Sequence, residues 1–93
     1  MSVCIKDYCK TNDNVLAKGL KTLDDKSIVL DTTQLEVYFR DGEYWCRLFF
    51  DYTLSCNDLA VIASVFSGYW WCVSPSILDT SLILSINFKD QTL

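Results

Sequence analysis

The dipeptide Asp41-Gly42 constrains this chain more than any other feature, because it separates two runs of β-forming residues, 34–40 and 43–52. A two-residue type I′ turn matches the twist of paired strands and needs positive φ at both central positions, a demand that Asp-Gly meets at little cost. The pairing of the strands then follows by counting outward. Arg40 faces Glu43, Phe39 faces Tyr44, Tyr38 faces Trp45, Val37 faces Cys46, Glu36 faces Arg47 and Leu35 faces Leu48. One face of the ribbon becomes Leu35, Val37, Phe39, Tyr44, Cys46, Leu48 and Phe50, which is a core face. The other carries the opposite-charge pairs Glu36–Arg47 and Arg40–Glu43, the aromatic pair Tyr38–Trp45, and further along Phe49 and Asp51. Each such cross-strand pair contributes about 0.2–1 kcal/mol, and a slip of one residue would exchange core for solvent.

The remainder of the chain supplies helices and further strands. Val3–Ile5 reads as a short strand. Leu16, Leu20 and Leu23 share one face of a helix over 13–23, with Asn12, Asp13 or Asn14 as N-cap. Gly19 inside it costs about 1 kcal/mol relative to alanine. Ser27–Leu30 reads as a short strand. Ser55-x-x-Asp58 has capping-box spacing ahead of Leu59, Ile62, Ala63 and Phe66, and Gly68 stands where a C′ glycine would end the helix. This helix, 56–67, is apolar nearly all round and is expected to be central and largely buried. Strands follow near 69–73 and 81–88. Trp70 and Trp71 point to opposite faces of the first, so at least one belongs to the core. The fold class is α+β, a single domain over 1–93 with an antiparallel sheet packed on helix 56–67.

Ninety-three residues of which 51% are apolar suffice for one core without metal or disulfide staples. The five cysteines, at 4, 9, 46, 56 and 72, form no Cys-x-x-Cys and are accompanied by no histidine. Free thiols in a reducing compartment are the expectation, with a Cys4–Cys9 bridge or a scattered thiolate zinc site as alternatives. Residues 1–7 carry neither a basic leader nor an apolar run, which points to the cytoplasm. Leu59–Leu78 is uncharged, but Gly68, Pro75 and four serines interrupt it, which argues against a membrane span.

No chemistry is specified. Without histidine, the ordinary Ser-His-Asp and Cys-His systems are missing. Asp41 and Glu43 read as turn chemistry and a cross-strand pair rather than a catalytic dyad, and Cys56, in the first turn of a helix, has no base beside it. The chain is expected to be neither an enzyme nor a cofactor protein. Its formal charge of −4 is concentrated in residues 41–93, which carry six acids against Arg47 and Lys89. That field repels phosphate, which excludes nucleic acid as the expected ligand and favours a basic protein.

These features suggest a small cytoplasmic inhibitor that binds one specific protein, as a monomer or weak homodimer. Immunity proteins, the antitoxins that protect bacteria by neutralising a nuclease-type toxin, share this general character, since carboxylates can occlude a basic cleft. The partner-binding residues expected on this reading are Tyr38, Asp41, Glu43, Trp45, Asp51 and Asp58. A phage- or virus-encoded inhibitor of a host nucleic-acid-processing protein, or an oligomer-forming structural subunit, are the alternatives. The outer face of the hairpin is covered either by a partner or by the chain's own N-terminal helix.

Overall fold

The computed structural model describes residues 3–77, 81–89 and 93. In chain order the elements are β1 (Val3–Cys4), α1 (Ile5–Thr11), α2 (Val15–Asp25), β2 (Gln34–Arg40), β3 (Glu43–Phe50), α3 (Cys56–Val65), β4 (Trp70–Pro75) and β5 (Leu82–Phe88). The strands form one antiparallel sheet in the order β1-β2-β3-β5-β4. Because β3 and β4 are both antiparallel to β5, they run parallel to each other, and α3 carries the chain across β5 between them. Among the described residues the result is a mixed α+β architecture with three helices and a five-stranded sheet.

The hairpin has the pairing that counting implied, from Arg40 opposite Glu43 to Leu35 opposite Leu48, and Gln34 opposite Phe49 extends it. Asp41 and Gly42 both take positive φ, 54° and 80°, as a type I′ turn requires. On the core face Leu35, Cys46, Leu48 and Phe50 are buried. Phe39 is not: it lies beyond the reach of the helices, 62% exposed, with its ring edge-on to Tyr44 at 4.9 Å. The outer pair Glu36–Arg47 forms an ion contact at 3.6 Å, whereas Arg40 turns to Asp41 instead of Glu43. Glu43 turns away from β2 toward β5 and accepts a 3.0 Å hydrogen bond from Asn87 Nδ2.

All the helices lie on one face of the sheet. Leu16, Leu20 and Leu23 of α2 meet Ile62 and Phe66, from α3 and its C-terminal cap, over the inward residues of β2, β3 and β5. Asn14 caps α2, its Oδ1 accepting from Ala17 N at 2.9 Å. Ser55 and Asp58 close the expected capping box on α3 through reciprocal bonds of 3.0 and 3.1 Å. Gly68, at φ +92°, falls one residue beyond the C′ position, in the turn closed by Tyr69 N and Phe66 O.

Three further expectations are corrected. Ser27–Leu30 is not a strand. Ser27 takes φ 67° and Ile28 N returns to Leu23 O at 3.1 Å, a Schellman ending in which Ile28 packs beside Leu23. Ile28 and Leu30 are buried against the core at this helix end, while Val29 is exposed. Val3–Ile5 is a strand only at Val3–Cys4, since Ile5 opens α1, a helix with no side-chain cap to announce it. Finally, α3 is not largely buried: Ile62 is its one fully covered residue, and Cys56, Asn57, Ala60 and Ser64 are exposed. A two-layer structure has nothing beyond the helices to cover their far side.

Candidate functional site

With the helices on one side, the opposite face of the sheet is left open. Strand alternation decides who stands on it: β2 contributes Glu36 and Tyr38, β3 contributes Glu43, Trp45, Arg47 and Phe49, β5 contributes Ile83, Ser85 and Asn87, and β4 contributes Trp70 and Cys72. Register then sorts these side chains into rows running across the strands. One row is Tyr38–Trp45–Asn87–Trp70, and the next is Glu36–Arg47–Ser85–Cys72.

The first row is aromatic along most of its length. Tyr38 and Trp45 lie nearly parallel, 11° apart with ring centroids at 6.4 Å. Trp45 and Trp70 meet edge to face, at 76° and 5.7 Å. Trp70 is 57% exposed, while Asn87 between the two indoles is 8% exposed and bonded to Glu43. In the adjoining row the guanidinium of Arg47 lies 4.9 Å from the centre of the Tyr38 ring and also pairs with Glu36. Large, stiff rings ringed by charge are the composition of protein-binding hot spots.

Of the residues expected to bind a partner, Tyr38, Glu43 and Trp45 share this open face. Asp41 stands at the turn tip, on its edge. Asp51 follows β3 and accepts 2.8 Å from Thr32 Oγ1. Asp58 belongs to the helical layer, where its carboxylate serves the α3 cap, so the same docked surface does not include it. Trp70 was expected on one sheet face or the other. It joins the open row, while Trp71 packs against the core. Asn87 and Arg47 complete the surface. Period-two alternation could place each on a face, but the β3–β5 and β4–β5 registers that bring them together are made by strands distant in sequence.

The five cysteines are free thiols, with Cys4 and Cys56 exposed, Cys9 and Cys72 half-buried and Cys46 buried. Burial raises the Cys46 thiol pKa far above its ordinary range, with the Glu36 charge adding to the effect. Among the described residues no three or more Cys, Asp or Glu side chains converge to hold a metal ion. Nor is any helix among them long and apolar enough to cross a membrane, and the uncharged stretch beginning at Leu59 divides into α3, a turn and β4. Leu78, its last residue, lies outside the described residues.

Fold and site together define a two-layer α+β module that carries an open, aromatic sheet face. Comparisons of the chain with protein-family models, with curated proteins and with solved structures found no match.

Proposed function

We propose that this protein is a small acidic protein-binding inhibitor whose open sheet face docks on one specific basic partner and occludes it, in the manner of an immunity protein on a nuclease-type toxin. The observation that carries this reading is the uncovered row Tyr38–Trp45–Trp70, which the chain's own helices leave to solvent. Rigid aromatics lose little conformational entropy on docking and are enriched where interfaces concentrate their energy. The hairpin around them, 34–52, carries the acids Glu36, Asp41, Glu43 and Asp51 against the bases Arg40 and Arg47, so its field attracts a cationic surface.

The test combines capture and inhibition. Tagged protein recovers its partner from the native host, and the purified pair is then assayed for complex formation and for the partner's nuclease activity. The reading expects a stoichiometric complex without activity, an association rate that falls with salt, and a loss of affinity of tenfold or more in Tyr38→Ala or Trp45→Ala with the fold intact. Open-face variants that bind and inhibit like the parent would sink it.

A second reading is favoured by one observation. Edge strand β4, Trp70–Pro75, carries no charged side chain, whereas natural edges are commonly defended by charge. Self-association through this edge would make the protein an oligomer-forming subunit, and gel filtration at micromolar concentration separates the two: a tight homo-oligomer indifferent to basic proteins supports the second.

A further inference from the structure

Arg47 already lies over the Tyr38 ring, so one aromatic face of the open sheet is occupied by a cation of the chain itself. The indoles of Trp45 and Trp70 differ. Among the described residues no Lys or Arg of this chain stacks on either of them. Their planes meet at 76° with centroids 5.7 Å apart, the edge of one indole toward the face of the other, Trp70 remains 57% exposed, and the register sets Asn87 between them. Beside it stands Glu43, which accepts from neutral Asn87 Nδ2 at 3.0 Å and makes no ion pair among the described residues. Arg40 contacts Asp41 and Arg47 contacts Glu36, and Lys89, exposed one residue beyond β5 where the register continues opposite Glu43, makes no ion pair with it among the described residues. Two indoles at a steep angle with a carboxylate at the rim form a receptor for a positive group, since the ring quadrupole and the carboxylate attract the same charge.

We propose that the Trp45–Trp70 corner, with Asn87 at its base and Glu43 at its rim, binds a cationic side chain, an arginine or lysine presented by the partner protein. This inference rests on the docking role given above to the open face, and it assigns that face its anchor. A guanidinium stacks on indole and donates to a carboxylate at once, so the partner's anchoring residue is most favourably an arginine. Glu43, rather than the more exposed Asp41, then decides whether the corner prefers charge.

The corner can be tested without the partner. In two-dimensional NMR spectra of the full chain, the indole N–H signals of Trp45, Trp70 and Trp71 are followed while N-acetyl-arginine amide is added, and N-acetyl-citrulline amide serves as the neutral probe of the same shape. The expected result is a saturable shift of Trp45 and Trp70 with the arginine probe in the millimolar range, several-fold weaker with citrulline. Trp71, on the helix-covered face, should stay still. Glu43→Gln, which can still accept from Asn87, should weaken arginine binding threefold or more, and Trp70→Ala should abolish the shift at Trp45. Equal response to arginine and citrulline, equal movement of Trp71, or an unchanged Glu43→Gln would overturn the assignment. A corner that binds arginine while Tyr38→Ala and Trp45→Ala leave partner capture untouched would instead refute the docking reading and spare the corner.

Discussion

Replacing Gly19 with alanine should destabilise the protein, although helix propensity alone argues for the opposite. Gly19 lies inside α2, where an alanine would favour the helix by about 1 kcal/mol. A Cβ built on Gly19, however, would stand 2.6 Å from Phe66 Cε1 and 2.7 Å from Cζ. Carbon atoms in contact settle at roughly 3.5–4.0 Å, so the ring would have to retreat by about 1 Å. It has nowhere to go, since Phe66 is 1% exposed and its ring lies edge-on to Phe88 at 6.2 Å, which in turn meets Tyr69 at 5.1 Å. Overpacking of this kind costs about 1–3 kcal/mol. Set against the propensity gain of about 1 kcal/mol, the net loss should reach up to about 2 kcal/mol, since a fully enclosed ring puts the clash at the upper end of that range, and each kcal/mol lowers Tm by roughly 4–8 °C in a domain of this size. Thermal and urea unfolding followed by circular dichroism measure it. The variant Phe66→Leu removes the ring, so Gly19→Ala made in that background should be neutral or stabilising, and the coupling between the two sites should reach about 1 kcal/mol or more. A Gly19→Ala protein as stable as the parent would refute the argument that close packing, not chance, keeps glycine there.

Ser27→Gly should stabilise by about 0.5–1 kcal/mol, because Ser27 holds φ 67° at the Schellman position where glycine pays no Cβ penalty; a lower urea midpoint would contradict this. Ser55→Ala removes the acceptor of the 3.1 Å bond from Asp58 N and should cost about 1 kcal/mol, visible as a lower Tm with unchanged secondary structure. Stability should also decline above about pH 9. Burial raises the pKa of Cys46 and Cys9 from 9.0 and of Tyr8 and Tyr52 from 10.0, so the unfolded chain releases these protons first and binds fewer than the folded chain at alkaline pH. The stabilisation is complete below pH 9 and lost as pH rises through the raised values. In urea titrations between pH 7 and 11, Cys46→Ala should show a shallower decline than the parent, and an identical slope would exclude Cys46 as a source. With a thiol reagent at neutral pH, Cys4 and Cys56 should react quickly and Cys46 only as fast as the protein unfolds.

The hairpin was legible in the sequence because its determinants are local. A two-residue turn leaves no freedom of register, so Asp41-Gly42 sets Tyr38 opposite Trp45 and Glu36 opposite Arg47 before any other element exists. The caps of α2 and α3 are local for the same reason, since Asn14 and the Ser55–Asp58 box bond groups only three residues away. Where two local solutions serve one pattern, the sequence was ambiguous: Ile28 and Leu30 suit a buried strand as well as a plugged helix end, and Ser27 in the left-handed region chose the latter. By helix propensity alone Gly19 is only a cost, and the reason for it is Phe66, distant in the chain, whose ring lies against it. The open face belongs to the same category. Alternation divided the strands into two faces, but which face the helices cover depends on the packing of Leu16, Leu20, Ile62 and Phe66 over β2, β3 and β5. The corner of Trp45, Asn87 and Trp70 depends on β5 lying between β3 and β4. Sequence by itself determined the hairpin, its register and its aromatic pair, because short-range geometry has one answer there. Tertiary structure alone decided that the pair faces solvent and gains Trp70 as its neighbour, because long-range pairing is selected by the burial of the whole core.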